Sequence, residues 1–254
     1  MQVGDAVACP QLVEPAVVEN DEIPVDVHFQ DSELLVVEKP AGLPCHPLRA
    51  GERRTLLSAL LARYPQLSGV GDDLVGADRR ELGLVHRLDT DTSGLVLVAL
   101  STRSLLALRS QLRRGAMDKH YVARCRPVNQ PGGELPPDVR LGPLDAHLLA
   151  DHRRRVRVFA VPRPFSRPIV TVIEALQPQP DGSMLVHCAV QHAGRHQVRA
   201  HLAALGLPLL GDTLYGGPER DGGHLLHATV ISCRHPLSGQ LLRVESPLPA
   251  RFFG

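Results

Sequence analysis

The chain has 254 residues, with 28 Lys+Arg against 27 Asp+Glu and a formal net charge of +1. That length buries a substantial core in one large or two small domains, and 43% hydrophobic against 22% charged residues argues against a disordered chain. Aromatics at 3% and the absence of Trp argue against a multi-aromatic platform for single-stranded nucleic acid, and any basic surface has to come from uneven placement of charge.

The cysteines, Cys9, Cys45, Cys125, Cys188 and Cys233, are scattered without a CxxC pair. That pattern fits a reducing cytoplasm better than a disulfide framework. The N-terminus lacks the basic and apolar regions of a signal peptide. The longest apolar runs, LLVV and GLVLVAL, fall far short of a membrane span.

Residues 1–24 carry Pro and acid without periodicity and read as an extension ahead of a body spanning 25–254. Val27–Phe29 and Leu34–Val37 read as strands, closed by a Lys39-Pro40-Ala41-Gly42 turn. Thr55–Tyr64 reads as an amphipathic helix stopped by Pro65, and residues 66–81 as a Gly-rich loop. Gly83–His86 leads into a polar turn, followed by a β run at Leu95–Leu100. Ser101 or Thr102 then caps a helix reaching about Arg113. Tyr121–Cys125 reads as a strand and 127–150 as an irregular insertion rich in Pro and Gly. Strands follow at Val156–Val161, Ile169–Ala175 and Leu185–Val190. A helix is expected from about Arg195 to Leu205, closed by Gly206 and Pro208, then strands near Leu225–Cys233 and Leu241–Val244. Strands dominate without βαβα alternation, which predicts an α+β fold with a mixed, largely antiparallel sheet and flanking helices.

Two segments concentrate chemistry. In the first, apolar residues flank His86-Arg87-Leu88-Asp89-Thr90-Asp91-Thr92-Ser93-Gly94. The ordinary reading is a hydrogen-bonded Asx or Ser/Thr turn. The functional reading is a carboxylate beside a cation, able to act as nucleophile or base. In the second, Gly194-Arg195-His196-Gln197-Val198-Arg199 with His201, the helical spacing puts Arg195 and Arg199 on one face. His192, His196 and His201 offer a zinc reading, but without the Glu of HExxH, so a basic face meeting phosphate or carboxylate fits better. Lys119, one of only two lysines, precedes Tyr121 at the start of a strand.

Together and in this order the motifs resemble the RluA-type pseudouridine synthases. His86-Arg87-Leu88-Asp89 with Thr92-Ser93-Gly94-Leu95 is similar to the family's HRLDxxTSGL signature, and Lys39-Pro40-Ala41-Gly42 to its KPxG motif. Lys119-His120-Tyr121 resembles K-x-Y, and His196-Gln197-Val198-Arg199-Ala200-His201 its HQ-hydrophobic-R-x-H helix. Leu210-Gly211-Asp212 and Tyr215-Gly216 resemble the GD-x-x-YG that follows. The likeness spans roughly residues 25–252. It departs from the family in the Gly194-Arg195-His196 spacing, one residue shorter than G-R-x-H-Q, and leaves no room for the small N-terminal RNA-binding module of many relatives.

The resemblance implies a pseudouridine-synthase catalytic domain over 25–254 with a central cleft, isomerising uridine in rRNA or tRNA without metal or organic cofactor. Asp89 is then the essential carboxylate, Arg199 its ion-pair partner, and Tyr121 stacks on the uracil. Arg87 fills the gap left by the extruded base, and His86, Lys119, Arg195, His196 and Gln197 contact RNA. The run Arg153-Arg154-Arg155 with Arg157 adds local positive charge for phosphate. The expected protein is a cytoplasmic monomer with RNA, and no membrane, as partner. Two other readings are a catalytically silent RNA binder on the same fold and a metal-dependent hydrolase using His192, His196 and His201.

Overall fold

The computed structural model describes residues 17–49, 51–71, 81–128, 141–150, 155–191 and 194–253. The helices are α1 (Leu56–Arg63), α2 (Thr102–Arg113) and α3 (Gln197–Ala204). The strands are β1 (Asp26–Gln30), β2 (Leu34–Lys39), β3 (Ser93–Ala99), β4 (Asp118–Cys125), β5 (Gly142–Ala150), β6 (Val156–Phe159), β7 (Arg167–Pro178), β8 (Met184–Val190), β9 (Leu226–Arg234) and β10 (Leu241–Glu245). They form a ten-stranded sheet in the order β1-β2-β3-β9-β4-β8-β7-β5-β6, with β10 also on β9.

The pairing is antiparallel throughout except where β3 meets β9, which run parallel over Ser93↔His227 and Gly94↔Ala228 alone. Beyond that point β9 pairs with β10 instead, over Val230 to Arg234. The sheet forks here, and the loop ahead of β3 enters at the fork. Gly94 permits the approach: a Cβ on it would lie 2.3 Å from the Ala228 carbonyl oxygen, and its φ is +113°. Gly94→Ala is therefore expected to cost more than about 2 kcal/mol of stability, read by urea or thermal melting. A melting curve within error of wild type would show that β3 and β9 can separate freely.

Local sequence chemistry explains the elements around the fork. The runs Leu34–Val37 and Leu95–Ala99 are buried throughout, as strands covered on both faces must be. Thr55 caps α1 by accepting from the Ser58 N–H at 3.1 Å, and Ser101 caps α2 through Ser104 at 3.2 Å. β7 alternates instead, with Ile169, Thr171 and Ile173 buried between more exposed neighbours. One apolar core joins α1 and α2 to β2 and β3; a second joins α3 to β4, β8 and β9. Leu88 packs against both, so its neighbour Asp89 stands at the seam between them.

The segment expected to be an irregular insertion over 127–150 contains β5, a full strand paired with β6 and β7. Residues 129–140 of that segment, like 1–16 of the extension and 72–80 of the Gly-rich loop, lie outside the described residues. α3 begins at Gln197 rather than Arg195, because His196 adopts a left-handed conformation with φ 53°. Arg195 therefore precedes the helix and shares no helical face with Arg199. Among the described residues no helix is long and apolar enough to cross a membrane.

Candidate active site

The loop carrying Asp89 is held from beneath by a lysine. Lys39, at the end of β2, is fully buried, and its Nζ donates to the carbonyls of Pro40 (2.8 Å), Leu43 (2.8 Å) and Thr90 (2.9 Å). Three acceptors satisfy its three donors, tying the Pro40–Leu43 turn to the Asp89 loop; burial pulls its pKa down to about 8. On the opposite side the Leu88 N–H donates to Cys45 Sγ at 3.3 Å. Thr92 Oγ1 lies 2.8 Å from His224 Nε2, and Asp91 is packed by Gly223, where a Cβ would sit 2.5 Å from the Asp91 carboxyl carbon. Burial holds His224 neutral, with its pKa lowered to about 4.

α3 supplies the counter-charge. Arg199 Nη1 donates to Asp89 Oδ2 at 2.8 Å, while Nε and Nη2 donate to Asp212 Oδ2 and Oδ1 at 2.7 and 2.8 Å. The bidentate pair fixes the guanidinium plane, leaving one nitrogen aimed at Asp89. Burial opposes the Arg199 charge, but the bonds and charges of Asp212 and Asp89 outweigh it and raise its pKa. The Tyr215 ring lies 5.3 Å from the guanidinium carbon.

His196 approaches the other Asp89 oxygen, with Nε2 3.8 Å from Oδ1. Its Nδ1 lies 3.0 Å from the Tyr215 hydroxyl, which also accepts the Val156 N–H at 2.9 Å. With Tyr215 donating to Nδ1, the imidazole proton rests on Nε2, facing Asp89. Burial lowers the His196 pKa even though Asp89 opposes it.

Asp89, Tyr121 and Arg199 line one recess of about 50 Å³, together with Arg87, His196 and Leu226. It shares Asp89, His196 and Arg199 with an adjoining cleft of about 690 Å³. Tyr121 is buried, which raises its pKa and keeps the phenol protonated. Arg87 stands half-exposed at the cleft, 3.4 Å from Glu81 and 3.1 Å from His46 Nε2. Arg195 and Lys119 line the same cleft. Lys119 is 2% exposed, its Nζ has no hydrogen-bond partner among the described residues, and burial lowers its pKa to about 8.

Two residues expected to contact RNA are engaged by the protein instead. Gln197 is buried; its Nε2 donates to the Val170 carbonyl (2.9 Å) and Thr171 Oγ1 (3.2 Å), and its Oε1 accepts the Gly194 N–H at 2.8 Å. It therefore positions the start of α3. His86 Nε2 accepts the Leu97 N–H at 3.2 Å, and burial brings its pKa to about 3, so it is a neutral prop for the loop.

The metal reading gains no geometry. His196 turns to Tyr215, whereas His201 Nδ1 lies 3.0 Å from Thr171 Oγ1, and His192 falls outside the described residues. Among the described residues no three His, Cys, Asp or Glu side chains are grouped to hold an ion. Sequence reasoning missed Asp212, Tyr215 and Lys39 as site residues. Each stood inside a quoted motif, but only tertiary contacts reveal what it holds.

The family model for RNA pseudouridylate synthase matches residues 33–204. The chain is 36% identical over 248 residues to the Ribosomal large subunit pseudouridine synthase D of Nitrosomonas europaea, covering 91% of this chain and 66% of that protein. It is 38% identical to an uncharacterized RNA pseudouridine synthase of Chloroflexus aurantiacus, covering 84% of this chain and 62% of that protein. A further uncharacterized RNA pseudouridine synthase, from Synechocystis, is 32% identical over 99% of this chain and 74% of its own length. The chain thus spans roughly two thirds of the length of these relatives. Among solved structures, the human RNA Pseudouridylate Synthase Domain Containing 4 superposes with a TM-score of 0.64 at 21% identity, covering 90% of each chain, and shares the fold.

Proposed function

Because this chain belongs to the RNA pseudouridylate synthase family, we propose that it isomerises uridine in RNA to pseudouridine, with large-subunit ribosomal RNA as its substrate. The observation that carries this reading is the Asp89 carboxylate, 26% exposed, bonded by Arg199 through one oxygen and faced by His196 at the other. Around it lies a recess that also holds Tyr121.

The reaction breaks the N1–C1′ bond, turns the uracil, forms C5–C1′, releases the C5 proton and takes up a proton at N1. Its atoms balance without oxidant, energy source or metal. Asp89 is the catalytic carboxylate, whether it adds to C1′ or removes a sugar proton; both routes need a carboxylate and neither is available to an amide. Arg199 fixes its direction, and Asp212 fixes Arg199. Tyr121 presents a protonated phenol to the base, and Arg87 fills the stack the uridine leaves. Arg195 meets phosphate at the cleft, and Lys119, its ammonium buried, adds positive charge from behind the cleft wall. Residues 25–254 act as one catalytic unit, a monomer working in the cytoplasm on RNA.

The test is release of tritium from RNA labelled at uridine C5, since only isomerisation frees that hydrogen at each turnover. Release at a rate proportional to protein supports the reading; RNA binding without release would favour a silent binder. Lys119 gives a second expectation. Lys119→Met removes a buried ammonium with no hydrogen-bond partner among the described residues, so stability should rise by about 1–2 kcal/mol, while RNA binding weakens about fivefold through the lost positive charge behind the cleft. Calorimetry and a binding titration at fixed salt would check both signs, and unchanged RNA affinity would assign Lys119 to packing.

A further inference from the structure

The Asp89–Arg199 bond joins a turn to a helix 110 residues further on. Lys39 ties that turn to Pro40–Leu43, on the β2 side. A second tie runs to the opposite side, through His224. The Thr92 N–H donates to the Asp89 carbonyl at 3.1 Å, so any displacement of Thr92 is passed to Asp89. Thr92 is buried, and its hydroxyl meets His224 Nε2 at 2.8 Å. Nδ1 of the same ring faces Asp91 Oδ2 at 4.0 Å. The ring is buried and neutral, so it has one donor nitrogen and one acceptor. A carboxylate on the Nδ1 side draws the proton there, and Nε2 accepts from the Thr92 hydroxyl. The imidazole is thus bracketed by Asp91 and Thr92, the last two residues of the turn.

The backbone of His224 belongs to the Asp212 side of the site. The Leu225 N–H donates to the Leu210 carbonyl at 2.9 Å, and a Cβ on Gly211 would lie 2.2 Å from the Gly223 carbonyl oxygen. Gly223, with φ +74°, is pressed against Asp91 as well. Arg251 donates to the His224 carbonyl and holds the segment from its other edge. Asp212 follows Gly211 directly and carries two of the bonds that orient Arg199. The segment bearing His224 is therefore packed against the segment bearing Asp212, and one side chain spans from it to the Asp89 turn. An apolar residue would fill such a buried place by packing alone. A buried imidazole aimed at one turn adds a directional bond that packing does not supply.

We propose that His224 is a positioning residue for the isomerisation, holding the Asp89 turn in register with the Asp212–Arg199 pair through its bond to Thr92. When one Asp89 oxygen is given up to the sugar, this tie keeps the carboxylate pointed. The inference rests on the reading of Asp89 as the catalytic carboxylate. His224 also lines the larger cleft, so a direct contact with RNA is the competing role that the test has to separate.

The full chain is compared with His224→Leu, His224→Gln, Thr92→Val and the His224→Leu/Thr92→Val double variant, by single-turnover tritium release at saturating protein and by RNA titration. His224→Leu should slow release about 30-fold per folded molecule, with RNA affinity within about twofold of wild type. His224→Gln, whose Oε1 still accepts from Thr92, should recover most of the rate. Thr92→Val, which keeps the shape of the side chain, should slow release as His224→Leu does. The double variant should be no slower than either single one, because the partner through which His224 acts is already gone. Full rate in Thr92→Val overturns the proposal even if His224→Leu does not fold. Losses that multiply in the double variant overturn it too, as does a loss of RNA affinity at unchanged rate. If the wild-type protein releases no tritium, the catalytic reading fails and the tie is judged by the imidazole ¹⁵N spectrum, assigned with His224→Gln. A neutral Nδ1–H ring whose Nε2 resonance moves in Thr92→Val keeps the tie, and an Nε2 resonance that stays in place removes it.

Discussion

Asp89→Asn should lower tritium release from uridine-labelled RNA by at least about 10³-fold while leaving the fold and RNA affinity close to wild type. Asparagine keeps the size of the side chain and an oxygen that still accepts from Arg199 Nη1, now 2.8 Å from Asp89. Arg199 also retains both bonds to Asp212, so it is not left unpaired. The stability change should stay within about 1 kcal/mol. What asparagine cannot do is add to a sugar carbon or accept a proton as a carboxylate does. The alternative role for Asp89, a plain turn residue, predicts the opposite, because Asn is among the best replacements for Asp in a turn. Near-normal release by the Asn protein, with melting and binding unchanged, would remove Asp89 from the chemistry.

The second large effect belongs to Asp212, which touches no substrate. Its side chain is 1% exposed and accepts two of the three bonds that Arg199 makes to carboxylates. Asp212→Ala leaves a buried guanidinium with Asp89 as its one carboxylate partner among the described residues. Breaking a buried pair from one side costs about 3–5 kcal/mol, and loss of the fixed guanidinium plane should lower turnover about 10²-fold. Asp212→Asn, which keeps one acceptor, should recover part of both losses. That rescue distinguishes positioning from mere packing. Melting and single-turnover tritium release give the two readouts; lost stability with full turnover per folded molecule would show that Asp89 works without an oriented Arg199.

How much of this was legible in the sequence depended on the range of the interaction involved. Capped helices and doubly buried strands declared themselves locally: Thr55 and Ser101 sit where they cap, and Leu34–Val37 and Leu95–Ala99 read as strands because they are. β5 did not, since Gly142-Pro143 and polar Asp145 and His147 obscure a strand whose existence depends on its partners β6 and β7. The start of α3 was misplaced because helical spacing linked Arg195 to Arg199, whereas His196 takes a left-handed conformation more usual for glycine. The Asp89–Arg199 pairing came through motif resemblance; no periodicity joins residues 110 apart. Lys39 was read as part of a rigid turn because lysine is rarely buried. Its three acceptors are backbone carbonyls, which residue types do not announce.

The most direct test is a pseudouridine map of large-subunit ribosomal RNA and total RNA from cells with and without this gene, and from deleted cells carrying either wild-type or Asp89→Asn protein. Isomerisation by Asp89 predicts that pseudouridine disappears from one or a few defined positions on deletion, returns with the wild-type protein, and stays absent with the Asn variant. An unchanged map on deletion, or full restoration by Asp89→Asn, would contradict it.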